Sequence, residues 1–528
     1  MGAKEKSQTR SQSKSIGLVA IVNTANAVVG VAQAFIVGRL FGTTSGIEIF
    51  FAASMIFVSV NKLLQAGQIA EIFTPIYHQV KESDGPESAF ELQAVLLNWM
   101  LLITFLISLI LFFAAPFIIP ITVPGFSAER IGTCVAMFQL LVPLIAMQIL
   151  QFLLANLLIN EKHFVARETT RSFAAIVSLL FIVLLAHRFD AWTMIGALWA
   201  SISISVVVFC VLISRMGYRH RFRLQHDSFK ISDVFKKTPT ILGYVGLNQL
   251  YVLVLTAGLS TLPQGMLAVY NYAVRLYSRV SGILVRPVST VFFSHFSSAV
   301  AEEDAGIQKI TVNALRLILL LTTATCVLAI TAGLPALRAL WLSPVFPEDR
   351  IWLTYALFCI LCFVPVFSGL ALIFRKINMA HQFTHSQYMI LMVNQLIAAF
   401  LVYWLIPMLG IYGAASALFG NVVLSAIGSG YLLKRTRPER LALYDRNTLI
   451  QCITLFVFTV FPVLLFQHSS NFYQWLPDST IGYLLETAIL SSAAIAIMAT
   501  VAHFIGIGEL RSARNLVQRK CKRLLGSQ

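Results

Sequence analysis

Residues 47–80 read IEIFFAASMIFVSVNKLLQAGQIAEIFTPIYHQV. The run is apolar enough to cross a membrane as a long helix, yet it carries Glu48 near its start and Lys62 in its middle. A Lys at mid-membrane costs about 2.5–3.5 kcal/mol on insertion scales, so it normally faces a wet cavity or a partner. About 220 residues later, residues 266–300 offer a companion, MLAVYNYAVRLYSRVSGILVRPVSTVFFSHFSSAV, with Arg275, Arg279 and Arg286. Two such helices, placed alike in two halves of the chain, predict two lobes around a cationic central cavity.

Composition sets the class. Of 528 residues, 58% are hydrophobic and only 12% charged. Soluble domains run near 25% charged, so the expected fold is an all-α polytopic membrane protein. The net charge of +16 has a membrane explanation, because cytoplasmic loops collect Lys and Arg. No nucleic-acid partner is therefore expected; the basic segments read as resting on anionic membrane lipids. Residues 1–15 are polar and basic, unlike a cleavable signal peptide. The seven cysteines lie mostly in apolar runs, and Cys359-Ile-Leu-Cys362 has neither nearby His nor turn signals to support a metal or redox role.

Apolar runs of spanning length, roughly 20 residues, recur about fourteen times. Residues 1–15 form a tail, 16–216 an N-lobe of six helices, and 217–238 a basic loop. Residues 239–433 form a C-lobe of six helices, and 434–446 a second basic loop. Two further helices fill 447–507, and 508–528 is a basic tail with amphipathic spacing. Basic residues concentrate in the tails and these two loops, so both termini are expected in the cytoplasm. A shift of about 220 residues sets Ile47–Val60 over Leu267–Val280 and Phe73 over Phe293. Six helices between copies imply a parallel repeat about an axis along the membrane normal.

No hydrolytic or redox constellation appears: GxxxxGK[ST], HExxH and a helix-preceding GxSxG are all missing from the sequence. The expectation is no catalytic residue, no metal and no cofactor. The informative residues are the charges within spans. Arg275, Arg279 and Arg286 are spaced by four and seven, so they share one helix face. Their mutual repulsion calls for an anion, and phosphate suits the planar guanidinium fork. The competing reading is snorkelling to the headgroups, chiefly for Arg39, Arg316 and Arg286. Asn26 and Gln33 in the first span, Asn61 beside Lys62, and Asn248 in the seventh add polar lining, although amides in membranes also glue helices together. Gly67 gives the second span a place to bend.

Several stretches carry a family resemblance. Val29-Gly30 through Arg39-Leu-Phe-Gly42, then Glu48-Ile-Phe-Phe51 and Phe73-Thr-Pro75, resemble the opening of the MurJ/MviN family. Pro124-Gly125-Phe126, and Tyr272-Ala-Val-Arg275 with Ser281-Gly282, are similar to further family landmarks. The resemblance implies a lipid II flippase of the multidrug/oligosaccharidyl-lipid/polysaccharide exporter superfamily, working by alternating access in the bacterial inner membrane. Its substrate would be a polyprenyl-pyrophosphate-linked saccharide, with glycan-biosynthesis enzymes as possible partners. Lys62, Arg275 and Arg279 would bind the pyrophosphate, helped by Arg286, with Glu48, Asn26, Gln33, Asn61 and Asn248 tuning the cavity. The polyprenyl tail would run near the last two helices. The chain departs from the family pattern at Ala27, Gln33-Ala34, Phe57-Val58, Asn61-Lys62, Ala66-Gly67 and Val274. Those departures keep an exopolysaccharide or O-antigen unit open as cargo. A cation-coupled drug exporter and a non-transporting membrane scaffold are the remaining alternatives.

Overall fold

A computed structural model describes residues 22, 25–26, 28–65, 68–225, 239–279, 281–282, 307–380, 383–436, 446–469 and 478–505. The terminal tails and most of each basic loop fall outside these residues, as do Gly67 and Arg286. Among the described residues the structure is helical, with one isolated bridge between Ser343 and Phe346.

The first part of the chain forms α1 (Val28–Phe41), α2 (Ser45–Gln65), α3 (Gln68–Ser83), α4 (Pro86–Thr122), α5 (Ala128–Leu141), α6 (Pro143–Asn160), α7 (Phe164–Phe189), α8 (Trp192–Arg215) and α9 (Pro239–Ser260). Next come α10 (266–279), α11 (Ile307–Trp341), α12 (Glu348–Leu361), α13 (Val364–Ala380), α14 (Thr384–Leu409), α15 (Ile411–Thr436), α16 (Arg446–Ser469) and α17 (Thr480–Ile505). Taking α5–α6 and α12–α13 as one span each, twelve helices among the described residues are long and apolar enough to cross a membrane, and α1 is a shorter apolar helix. This is the polytopic architecture that the composition predicts, and the expected count of about fourteen is consistent with it.

One expectation needs refining. The apolar run 131–159 reads as a continuous helix, but it breaks between Leu141 and Pro143. Proline removes a backbone donor and crowds the preceding turn, which accounts for the break. The same event recurs about 220 residues later, where α12 ends at Leu361 and α13 begins just before Pro365. The turn between α7 and α8 also has its counterpart: Asp190 has φ 45° and Gly410 has φ 58°. These matches extend the internal repeat well beyond the α2 and α10 stretches.

The chain forms two compact units. One holds the residues up to Asn271 with Gln395–Ala414; the other holds Tyr272–Asn394 with the residues from Ala415 onward. In the first unit the core gathers Tyr77 of α3, Leu92 and Leu96 of α4, Leu153 and Leu157 of α6, and Phe209 and Ile213 of α8. In the second unit α17 buries Gly482, Glu486, Leu490, Ala494 and Ala502 on one face, three of the five being Gly or Ala. Lipid tails are as apolar as Leu, so close packing over small residues holds membrane helices together rather than hydrophobic burial. The outward faces are apolar, as Phe113, Phe117 and Ile121 of α4 illustrate.

Candidate functional site: intramembrane charges and their partners

Glu48 sits in the first turn of α2, where the helix macrodipole favours an acid. Its side chain is 3% exposed, so an unpaired charge there would be costly. Arg130 of α5 meets it, Nη2 to Oε2 at 2.5 Å, and the Leu267 amide at the start of α10 donates to Oε1 at 3.0 Å. A free N–H at a helix start is an orphan donor, and the carboxylate satisfies it. The Arg130 guanidinium also stacks over the Phe126 ring, 3.9 Å from its centroid. Phe126 is placed by the turn at Pro124-Gly125. A Cβ at Gly125 would lie 2.2 Å from the Ser260 carbonyl oxygen, so only glycine permits this approach of the turn to the end of α9. Glu48 is thus a structural pin in this conformation. Its partner Arg130 did not stand out in the sequence, although Glu129-Arg130-Ile131 repeats as Asp349-Arg350-Ile351.

The predicted cations behave differently. Lys62, in the last turn of α2, is exposed. On α10, Arg275 and Arg279 are exposed too, one helical turn apart. Arg286 lies outside the described residues. The amides are mostly occupied within the protein. Gln33 donates to Ser178 Oγ at 3.3 Å, bonding α1 to α7. Asn61 is buried and bonds back to the Phe57 carbonyl at 2.9 Å. Asn248 accepts from neighbouring Gln249 at 3.1 Å. Asn26 is half-buried, and its amide has no partner among the described residues. Of the three residues read as snorkelling, Arg286 lies outside the described residues, Arg39 is exposed, and Arg316 is half-buried and reaches Gln451 at 3.4 Å.

Further polar groups tie helices together within each unit. In the first, Glu161 after α6 accepts from Lys81 at 2.6 Å and from Tyr77 at 2.7 Å. Burial pushes the Glu161 carboxyl up, but those two hydrogen bonds and the Lys81 charge outweigh it and hold the group below its ordinary value. Beside it, Thr74 donates to buried Asn160. The backbone after α8 is strapped to α4: Asn98 donates to the Arg221 and Arg223 carbonyls, Trp99 to that of Leu224, and both arginines pair with Glu91. In the second unit, Asn378, Gln387 and Ser429 form a fully buried neutral triad, with bonds of 2.7–3.0 Å. Asn394 and Asn421 pair nearby at 3.0 Å. No group of three or more metal-type ligands occurs among the described residues.

The helix arrangement, with its broken fourth span in each half and its intramembrane cations, defines a transporter-type fold. An inward-facing multidrug transporter of the MATE family in the MOP superfamily shares it at a TM-score of 0.59, with 11% identity, covering 78% of this chain and 98% of that one. Agreement is greater with a lipid II flippase MurJ in an inward closed conformation, with a TM-score of 0.75 and 17% identity over 92% of this chain and 99% of that one. A probable lipid II flippase MurJ from Buchnera aphidicola (Schizaphis graminum) is 22% identical over 96% of this chain and 99% of its own length. The family model for lipid II flippase MurJ matches residues 37–486. The chain belongs to that family.

Proposed function

We propose that this protein moves a polyprenyl-pyrophosphate-linked saccharide, lipid II or a related cell-envelope glycan precursor, across the cytoplasmic membrane. Transport proceeds by alternating access between two lobes, with both termini in the cytoplasm. The cargo crosses without covalent chemistry.

The observation that carries this reading is the contrast among intramembrane charges. Glu48 is neutralised by Arg130, whereas Lys62 and Arg279 stay exposed, and Arg275 lies one turn from Arg279 on α10. Exposed cations at membrane depth are expensive unless they line a wet cavity and meet an anion. Pyrophosphate supplies that anion in the family's cargo, and two arginines one turn apart suit its oxygens. Glu48, Asn26, Gln33, Asn61 and Asn248 belong to the same proposed site as secondary groups, and Arg286 follows Arg275 and Arg279 in the sequence. An exporter of cationic drugs would need an available carboxylate, and the pairing of Glu48 weighs against that use. The departures at Ala27, Gln33-Ala34 and Val274 keep another lipid-linked glycan open as cargo beside lipid II.

Depletion of the protein in its native cell, followed by mass analysis of extracted polyprenyl-linked intermediates, tests the proposal. A lipid-linked saccharide that accumulates on the cytoplasmic face identifies the cargo by mass. Complementation with Lys62→Gln plus Arg275→Gln then reads the site, with transport expected to fall at least a hundredfold. Intact transport by that double variant excludes these cations as the pyrophosphate site. A depletion that leaves all lipid-linked intermediates unchanged removes the flippase reading itself.

A further inference from the structure

A groove of about 490 Å3 lies on the first unit, lined by Leu140, Phe181, Trp192, Ile195, Gly196, Trp199, Ala200 and Ser203. Trp192, Ile195, Gly196, Trp199, Ala200 and Ser203 recur at helical spacing and form one face of α8. Gly196, Ala200 and Ser203 make a low floor, and Phe181 of α7 closes over it; a Cβ at Gly196 would already lie 2.5 Å from the Phe181 ring. One wall is fixed by Trp199, whose indole donates to the Leu140 carbonyl at 3.0 Å, beside the break between α5 and α6. The groove runs into a lipid-facing surface that includes Phe173, Leu180, Leu184 and Val207, all at least half exposed. That surface is what the bilayer covers in a chain of this class.

The rim adds a charge. Arg188 lies seven residues beyond Phe181 on α7, on the same helix face and about 10 Å further along the axis. It is exposed and forms no ion pair with any described residue. Trp192 stands at the same end of the span, as interfacial tryptophans do. An apolar trough with a cation one headgroup's distance above it matches a glycerophospholipid, whose acyl chain and phosphate are separated in the same way.

We infer that this groove is a phospholipid site, with one acyl chain over Gly196, Ala200 and Ser203 and the lipid phosphate on Arg188. The site lies on α7 and α8, and the inference does not depend on which cargo the protein moves. A bound chain would fill the space that the small residues leave and stiffen the α7–α8 pair against Leu140.

The test uses the full-length protein in vesicles of equal parts phosphatidylglycerol and phosphatidylcholine, doped with phosphatidylglycerol carrying a diazirine in its acyl chain. Photolabel mapped by mass spectrometry is expected to concentrate on Leu140, Phe181 and Trp199. Arg188→Gln, at an exposed site, should cut that labelling about tenfold while leaving labelling by a diazirine diacylglycerol unchanged. Ala200→Leu should reduce both; if that variant misfolds, the charge-specific loss in Arg188→Gln still decides. Label spread evenly over all lipid-facing helices would overturn the proposal. So would groove label that polyprenyl pyrophosphate displaces but excess phosphatidylglycerol does not, since the trough would then belong to the cargo's tail.

Discussion

The corner after α4 in the first unit and its repeat after α11 in the second occupy matching positions about 220 residues apart, yet they are filled differently. Phe126 corresponds to Phe346 and Arg130 to Arg350, but the place of Glu48 is taken by Ala268. In the first unit the corner is held by the Glu48–Arg130 ion pair with Phe126 beneath it. In the second, Tyr272, Trp341 and Phe346 pack together, with Trp341 and Phe346 stacked at 5.3 Å. The opposite ends repeat the contrast: Glu161–Lys81–Tyr77 in one unit, the neutral Asn378–Gln387–Ser429 triad in the other. Gene-level symmetry has preserved the backbone frame, with its two broken helices, while the chemistry of the fill has diverged. Charge holds by a few directional bonds and fails when one member is lost. Aromatic and amide fill holds by area and by several weaker bonds.

Arg130→Ala tests the contrast most severely. It leaves Glu48 buried without its counter-charge, and the expected loss is about 3–5 kcal/mol, read by chemical unfolding in detergent. If the loss is no larger than that of an ordinary surface charge, the pin is not what holds the first unit's corner. Trp341→Ala in the second unit should cost about 3 kcal/mol through the cavity it leaves. Because the surrounding rings can relax inward, the unfolding transition should broaden rather than split.

The other ends separate by pH. The lowered pKa of Glu161 means that the folded chain binds fewer protons there than the unfolded chain. Its stabilisation is therefore present above the unfolded carboxylate value near 4.3 and is lost as the pH falls through the lowered folded value. Lys81 is about a third exposed, so screening keeps the effect to about 1–2 kcal/mol. Hydrogen exchange at a pH below the unfolded carboxylate value of about 4.3 should loosen α3 and the end of α6 while α13 to α15 keep their protection. Equal loosening in both units would break the comparison. The smallest effect is expected for Arg350→Ala, under about 1 kcal/mol, because its partner Asp349 is largely exposed.

The sequence makes the frame legible and the contacts much less so. Spans stand out because a run such as α4 has no alternative to the membrane, and the repeat appears once Ile47–Val60 is set over Leu267–Val280. The cations were legible for the same reason: Lys62 and Arg275 are conspicuous against apolar surroundings. What stayed hidden was pairing. Glu48 reads as a cavity acid until Arg130, 82 residues away, is folded against it. Gln33 and Asn61 read as lining, whereas their hydrogen bonds run to Ser178 and Phe57. Pro143 gave a local sign of the helix break, but a single proline within an apolar run is tolerated often enough in membranes to pass unremarked.

That break also constrains the order of assembly. The carbonyls around it bond outside the regular helical pattern: Val142 accepts from Ser108 and from the Ile145 amide, and Leu140 accepts from Trp199. Ser108 precedes the break in the chain and is available when α5 and α6 enter the bilayer. Trp199 comes 59 residues after Leu140, so during synthesis that carbonyl waits in hydrocarbon until α8 arrives. An unsatisfied carbonyl in lipid costs several kcal/mol, which makes the arrival of α8 the step that commits the first unit to its fold.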